Sequence, residues 1–230
     1  MTVRINPCWV PAMRDLEASV IAGVSAIQLP LCETPAQALA VAGAIGELEA
    51  ERGLEPGAIG LIAMLESAGA VIRAPQIAAA TPRLAALTLG VEDYAASMGA
   101  EASHALLRPA AQQVTQAARA ADIASYAVAA GMSDFRDVEA LRSAAQEARA
   151  LGATGGYAVH PAQVAILNAV FAPTEAEIDW ARRALAGAEA AAQDGRGVFV
   201  LDGRMIDLPL VKRARAILKT AAVSKGKHQS

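Results

Sequence analysis

Aromatic residues, cysteines and excess positive charge are all scarce in this 230-residue sequence, and each shortage excludes a class of protein. The 20 lysines and arginines are outnumbered by 23 acidic residues, so no large basic face for nucleic acid is expected. No apolar run approaches the ~20 residues that cross a bilayer, and the first residues lack the continuous apolar stretch of a signal peptide. We therefore expect neither a nucleic-acid partner nor a membrane.

The two cysteines favour a reducing compartment. Cys8 and Cys32 form no CxxC pair, and no histidine lies at metal-ligand spacing from either of them. Thiols of cytoplasmic proteins stay reduced. We therefore expect a cytoplasmic protein in which both thiols are buried or half-buried.

The residues that are abundant indicate one folded domain. Hydrophobic residues make up 54% of the chain and charged residues 19%, a balance that excludes a disordered chain. Alanine dominates and aromatic residues reach only 3%, so small aliphatic side chains are available for close packing of helices on a sheet. A chain of this length can form one domain with a substantial core.

Short apolar runs alternate with longer amphipathic runs along the chain. The short runs are apolar enough to be buried on both faces, which is typical of parallel strands, and the long runs predict helices. Thr34, Ser133 and Thr174 are candidate N-caps, and Glu177 completes a near capping box with Thr174. The predicted strands are residues 3–9, 24–30, 59–66, 84–90, 124–129 and 155–159, and the predicted helices are residues 35–52, 105–121, 134–151, 174–192 and 209–222.

Repeated β/α units predict a parallel sheet with right-handed crossovers. A closed (β/α)₈ barrel needs eight strands and typically about 250 residues, more strands than the apolar runs provide. The alternatives are an open doubly wound sheet and a barrel whose first two units are absent. No GxGxxG or GxxxxGK[ST] motif follows any predicted strand, so the usual phosphate loops of an open nucleotide-binding sheet are lacking.

Two acidic residues follow neighbouring predicted strands. Glu66 ends the third strand and Asp93 follows the fourth, at the carboxyl ends where parallel β/α folds carry their chemistry. Magnesium in proteins takes one or two carboxylates and completes its octahedron with water and substrate. The pair is therefore a candidate metal site, with capping of the following helices as the alternative for both residues.

Three other polar residues are candidates of a weaker kind. Arg4 lies in the first predicted strand, where it could bind a substrate carboxylate or form an ordinary salt bridge. His160 follows the last predicted strand and precedes Pro161, so it could be a general base, a substrate donor or a structural residue. Asp207 precedes the last predicted helix, where the local sequence indicates only an N-cap.

Several segments together resemble the citrate lyase beta-subunit-like branch of the HpcH/HpaI aldolase family, which includes citramalyl-CoA and malyl-CoA lyases. The matching segments occur in the family's order over nearly the whole chain. They are VRIN, AIQLPLCET, LIAMLESAGAV, LAALTLGVEDYAASMGA, the stretch from SDFRD to HPAQV, and GVFVLDGRMIDLPLVKRA.

The resemblance implies a fold and an assembly. It implies an α/β chain with a TIM-type (β/α) barrel over residues 1–195, lacking the first two β/α units, and a C-terminal helical extension over residues 196–230. It also implies a homo-oligomer, a trimer or a hexamer, in which the extension reaches over a neighbouring subunit's site.

The resemblance also implies the site. Glu66 and Asp93 match the family's two Mg²⁺ carboxylates, Arg4 matches the arginine that binds the oxo-acid part, and Asp207 matches the acid–base aspartate of the extension. The implied reaction is a retro-aldol or Claisen-type cleavage, or the reverse condensation, of a 3-hydroxyacyl-CoA. The implied partners are an acyl-CoA and a small oxo acid.

Three positions depart from the family pattern. Leu31 stands where a lysine is common, Gly69 where an arginine is expected, and Ala129 where an aspartate usually occurs. These departures keep two alternatives open, namely a related barrel aldolase with a non-CoA substrate and a non-catalytic paralogue that serves as an assembly partner.

Overall fold

A computed structural model of the chain describes residues 1–130 and 137–226. The chain divides into two compact units, Met1–Phe171 and Ala172–Ser230. The first unit contains a parallel sheet covered by helices, and the second contains two long helices and a hairpin. Over the described ranges, no helix is long and apolar enough to cross a membrane.

The sheet of the first unit is parallel. Within the described part of the chain it has five strands, and each strand pairs with the next one in chain order. This order is the one expected for repeated β/α units, so the predicted α/β fold with a parallel sheet is confirmed. The strands are β1 (Thr2–Arg4), β2 (Ala26–Leu29), β3 (Gly60–Leu65), β4 (Leu84–Leu89) and β5 (Ala124–Ser125).

Helices connect these strands and follow the last of them. The helix predicted over residues 35–52 is found as α2. Thr34 and Gln37 form a capping box that fixes its start. The helices are α1 (Trp9–Ser19), α2 (Pro35–Glu51), α3 (Ala68–Ile72), α4 (Ala74–Ala78), α5 (Val91–Ser97), α6 (His104–Ala120), α7 (Val138–Ala150) and α8 (Pro161–Phe171).

Both faces of the sheet carry apolar side chains. Ile27 and Leu87 are fully buried on the face that packs against the helices, and each buried side chain of this size stabilises the fold by about 1.5–3 kcal/mol. On the other face, Ala26, Ile62 and Ala86 form a small separate cluster. Burial on both faces is the reason that these strands are continuous apolar runs in the sequence.

A buried ion pair connects Glu49 of α2 with Arg83, which directly precedes β4. The Glu49 side chain is 1% exposed and accepts hydrogen bonds from both terminal nitrogens of Arg83, at 2.8 and 2.7 Å. The backbone N–H groups of Gly57 and Ile59 also donate to it, each at 2.9 Å. These donors, with Arg83 foremost, lower the pKa of Glu49 to about 2, so the carboxylate is charged at neutral pH.

The sixth predicted strand is wrong. Residues 155–159 are described and form no strand. The backbone N–H of Thr154 still donates to the Ser125 carbonyl at 2.8 Å, but pairing stops there. Gly155 and Gly156 then pass close to the Tyr126 and Val128 side chains, where a Cβ atom would lie 3.0 and 2.9 Å from them. The apolar run therefore packs as an irregular segment.

The end of the first strand and the start of helix α7 also differ from the predictions. The first strand ends at Arg4 instead of residue 9, because Pro7 has no N–H for a ladder and α1 begins at Trp9. Helix α7 is capped by Asp137, whose side chain accepts from the Ala140 N–H at 2.9 Å. The predicted cap, Ser133, lies outside the described residues.

The second unit consists of α9 (Glu175–Gln193), β6 (Phe199–Leu201), β7 (Arg204–Ile206) and α10 (Leu208–Gly226). Thr174 and Glu177 form the predicted capping box of α9. Helices α9 and α10 share a cluster of buried alanines, Ala181, Ala184 and Ala214. Asp202 and Gly203, both with positive φ, form the tight turn between the antiparallel strands β6 and β7.

Candidate functional site

A cavity of about 330 Å³ opens at the carboxyl ends of the strands in the first unit. Strand β1 contributes Arg4 to it, the residue after β3 contributes Glu66, and the first turn of α5 contributes Asp93. The structure thus brings together three of the four residues predicted for the site. Carboxyl ends of parallel strands converge at one edge of a sheet, which is why residues far apart in sequence meet here.

Glu66 is a buried carboxylate held by the backbone. It is only 3% exposed, and its Oε2 accepts a hydrogen bond from the Leu31 N–H. Leu31 has a φ of 46°, a left-handed conformation that is uncommon for leucine. Ser67, not Glu66, caps the next helix, since the Ser67 hydroxyl accepts from the Ala70 N–H at 3.0 Å. The capping alternative for Glu66 is therefore wrong.

The space for Glu66 depends on a glycine. A Cβ atom added to Gly90 would lie 2.6 Å from Glu66 Oε1, well inside van der Waals contact. The φ and ψ angles of Gly90 are −86° and 97°, which alanine also adopts. Gly90 is therefore required by the neighbouring carboxylate and not by its own backbone.

Glu66 and Asp93 form an interacting pair of carboxyl groups. Burial raises the pKa of Glu66 above its usual value, and the negative charge of Asp93 raises it further. The Leu31 N–H and the Arg4 guanidinium act in the opposite direction. A cation placed between the two carboxyl groups would relieve their repulsion.

The donor set fits a hard divalent cation such as Mg²⁺. The carboxylates of Glu66 and Asp93 supply oxygen ligands, and the adjoining cavity leaves room for water and substrate oxygens. Within residues 1–130 and 137–226, no group of three or more His, Cys, Asp or Glu side chains could hold a metal ion. A pair of carboxylates is nevertheless what Mg²⁺ commonly takes from a protein.

Arg4 lies beside this pair without closing a tight ion pair. Its Nη2 is 4.0 Å from Glu66 Oε1, and its side chain is 58% exposed. At this distance the guanidinium stabilises the carboxylate by charge but does not make a short hydrogen bond to it. Arg4 can therefore bind an anionic group that enters the cavity.

The other two predicted candidates lie at the starts of helices. The exposed His160 accepts a hydrogen bond on Nδ1 from the Ala162 N–H at 3.2 Å, at the start of α8. Asp207 belongs to the second unit, where its Oδ1 accepts from the Leu210 N–H at 3.4 Å at the start of α10. The local contacts of both residues are those of helix N-termini.

The three positions that depart from the family pattern have different surroundings. Leu31 contributes its backbone N–H to the site, and Ala129 is 8% exposed. The Arg73 guanidinium lies over Gly69, where a Cβ atom would be 2.8 Å from Nη2. Arg73 Nε donates to the Glu33 carbonyl at 2.7 Å, so an arginine one helical turn later occupies this space.

The sequence predictions missed part of the site. Gly90 and the Leu31 N–H shape the environment of Glu66, and Tyr126 and Tyr157 line the same cavity. The sequence carried a signal for Gly90, because a glycine at the end of an apolar strand allows another group to approach the backbone closely. Nothing in the local sequence indicated the left-handed conformation of Leu31.

Residues 1–161 match the family model of HpcH/HpaI aldolase/citrate lyase. The chain belongs to this family, and the resemblance inferred from its motifs is confirmed. It is a carbon–carbon lyase of the citrate lyase beta-subunit-like type.

Individual relatives agree with this assignment. The citrate lyase subunit beta of Escherichia coli (strain K12) is 37% identical in an alignment of length 227 that covers 96% of this chain and 74% of that protein. The L-malyl-CoA/beta-methylmalyl-CoA lyase of Rhodobacter capsulatus is 32% identical in an alignment of length 246 that covers 98% of this chain and 77% of that protein.

A solved relative shares the fold. It is the CitE protein of Mycobacterium tuberculosis in complex with magnesium, acetoacetate and coenzyme A. It superposes with a TM-score of 0.70 at 28% identity, covering 96% of this chain and 78% of that one. The Haloferax volcanii malate synthase, at 19% identity and a TM-score of 0.64, also shares the fold.

Proposed function

We propose that this protein is a Mg²⁺-dependent carbon–carbon lyase that cleaves or forms a 3-hydroxyacyl-CoA thioester such as citramalyl-, malyl- or citryl-CoA. The observation that carries the proposal is the buried Glu66 carboxylate beside Asp93 and Arg4 at the carboxyl ends of the parallel strands. Relatives named as malyl-CoA lyase and a neighbour holding magnesium and coenzyme A support it.

Glu66 and Asp93 would hold the metal, and Arg4 would bind the substrate carboxylate. When bound, Mg²⁺ acts as a Lewis acid toward the hydroxyl and carboxylate oxygens of the substrate. The Leu31 N–H fixes the direction of one Glu66 oxygen, so the carboxylate is oriented before substrate binds. The Arg4 guanidinium suits a carboxylate because its planar donors match the two oxygens.

The bond change requires one proton acceptor. Asp207, supplied by a neighbouring subunit of a trimer or hexamer as the resemblance implies, takes the proton of the substrate hydroxyl. The bond between the hydroxyl-bearing carbon and the carbon next to the thioester breaks, and its electron pair passes to the thioester as an enolate. The enolate carbon then takes that proton from Asp207, which leaves an acyl-CoA and an oxo acid and returns Asp207 to its carboxylate form.

The architecture proposed for this chemistry is a (β/α) barrel with a C-terminal extension. The consecutive parallel order of β1 to β5 supports it, because neighbours in chain order are also neighbours in a barrel. The convergence of Arg4, Glu66 and Asp93 at the carboxyl ends of these strands supports it as well.

A second candidate is a related aldolase whose substrate is not a CoA thioester. The changes at Leu31, Gly69 and Ala129 favour it, since these polar positions of the family are apolar or glycine here. Turnover of a 3-hydroxyacyl-CoA against the free hydroxy acid separates the two candidates. Cleavage of the free acid alone would support the second one.

Titration calorimetry with Mg²⁺, in the presence and absence of pyruvate or glyoxylate, tests the proposal. We expect Mg²⁺ binding that the oxo acid strengthens and that Asp93→Ala abolishes. A matched control is Glu101→Ala, which removes an exposed carboxylate from the same part of the chain. A folded protein that binds no Mg²⁺ would refute the metal assignment.

A further inference from the structure

One side of the cavity is aromatic and apolar. Tyr126 and Tyr157 meet edge to face there, with ring centroids 5.8 Å apart and an interplanar angle of 82°. Val128, which is 6% exposed, lies beside them. We refer to these three residues as the aromatic wall. Edge-to-face pairs of this kind are stabilising beyond their buried area, so the wall is a defined surface.

Two glycines hold the wall in place. A Cβ atom on Gly155 would lie 3.0 Å from the Tyr126 ring, and one on Gly156 would lie 2.9 Å from a Val128 methyl. The backbone before Tyr157 therefore passes directly against the other two members. The Thr154 N–H, bonded to the Ser125 carbonyl at 2.8 Å, fixes the start of this segment. The wall is thus built from the residues that follow strand β5 and from the irregular segment after α7.

The wall is also uncharged. Burial raises the pKa of Tyr157 to about 12, and burial raises the pKa of Tyr126 as well. Both phenols therefore stay protonated at neutral pH. A substrate group in contact with the wall meets ring carbons, a methyl group and neutral hydroxyls.

The charged side chains that line the cavity are mostly acidic. Among the described residues that line it, Arg4 is the cation, against the carboxylates of Glu66, Glu92 and Asp93. A bound divalent metal and Arg4 together offset these three carboxylates. One substrate carboxylate can bind Arg4, but a second carboxylate would meet the aromatic wall or Glu92, and an unpaired charge there is costly.

We propose that the aromatic wall makes this enzyme selective for a 2-oxo acid that carries one carboxylate and a short apolar substituent, in preference to glyoxylate or a dicarboxylic oxo acid. The inference rests on the proposed function, because it assumes that Arg4 and the metal bind the oxo-acid end. The substituent then contacts Tyr126, Tyr157 and Val128. Tyr157 is the specificity-determining residue, since its ring lines the cavity and packs edge to face on Tyr126.

Calorimetry at saturating Mg²⁺ with three acids tests this selectivity. Glyoxylate has no substituent, 2-oxobutyrate has an ethyl group, and oxaloacetate has a charged carboxymethyl group. We expect 2-oxobutyrate to bind about tenfold more tightly than either of the others, the effect of burying two carbon groups. Glyoxylate or oxaloacetate binding as tightly as 2-oxobutyrate would overturn the inference.

Two variants test whether the Tyr157 ring causes the preference for 2-oxobutyrate. Tyr157→Ala should reduce the advantage of 2-oxobutyrate to less than about threefold, while Tyr157→Phe should retain it, because the ring and not the hydroxyl makes the contact. Affinity for Mg²⁺ alone should be the same in both variants as in the wild type. A preference that survives Tyr157→Ala would overturn the assignment to the wall. Mg²⁺ binding without selectivity defeats this inference alone, whereas absent Mg²⁺ binding defeats the proposed function too.

Discussion

The variant Gly90→Ala tests whether Glu66 must stay where the structure has it. The new methyl carbon would lie 2.6 Å from Glu66 Oε1, so the carboxylate must move by roughly half an ångström or more to reach a normal contact. Functional groups tolerate displacements of only about 0.5 Å. We therefore expect Mg²⁺ affinity to fall about tenfold or more, which is ~1.4 kcal/mol of binding free energy.

The assay is Mg²⁺ titration together with turnover of the thioester. Turnover should fall further than affinity, by about a hundredfold, because a misplacement near 1 Å at a reacting centre has an effect of that size. Thermal unfolding should change only modestly, since overpacking costs about 1–3 kcal/mol. The matched control is Gly43→Ala, which adds the same methyl group in α2 where no atom lies within 4 Å.

Wild-type Mg²⁺ affinity and turnover in Gly90→Ala would refute the reasoning. Such a result would mean either that Glu66 moves freely or that its carboxylate does not bind the metal. A loss of function in Gly43→Ala of equal size would refute it as well, because that methyl group has no contact with the site.

Glu49→Gln should lower the free energy of unfolding by about 3 kcal/mol at pH 7, because it leaves Arg83 buried without its carboxylate. Since the pKa of Glu49 is lowered from 4.5 to about 2 in the folded state, its stabilisation is complete above pH 4.5 and is lost as the pH falls toward 2. Chemical denaturation across that pH range should show a larger loss in the wild type than in the variant, because only the wild type has the Glu49 carboxyl group. Asp207→Ala should slow turnover more than it weakens Mg²⁺ binding, and equal effects in kinetics and calorimetry would contradict an acid–base role. A thiol reagent should modify the exposed Cys8 of the native protein and not the buried Cys32, whose pKa is raised to about 12 by burial, as mass spectrometry would show.

The sequence predicted much of the sheet because its strands are buried on both faces. The parallel strands β2, β3 and β4 are found inside the predicted apolar runs. The run at residues 155–159 was also predicted as a strand but forms none, because Gly155 and Gly156 bring the backbone against side chains instead of a ladder. The expectation that both thiols are buried or half-buried is wrong for Cys8, which is exposed beside the start of α1, and is confirmed for Cys32, which is buried. Composition and periodicity do not report such close approaches.

For the site, strand topology made Glu66 and Asp93 predictable as neighbours. Acids that follow adjacent parallel strands converge whatever the details of packing. The environment of Glu66 was not predictable, because it depends on the left-handed backbone of Leu31 and on the empty space at Gly90. The glycine at residue 90 is visible in the sequence, but its contact with Glu66 and the backbone conformation of Leu31 are properties of the three-dimensional structure.

The Arg73 side chain lies over Gly69 and thereby couples the effects of substitutions at these two positions. Any side chain at residue 69 would displace the Arg73 guanidinium, which bonds the carbonyl and carboxylate of Glu33, two residues after Leu31. The effects of exchanges at residues 69 and 73 are therefore not additive. Because the Arg73 guanidinium is the end of a flexible, partly exposed side chain, a side chain at residue 69 would move it off Glu33, and the cost of that exchange is the loss of the two hydrogen bonds at Glu33.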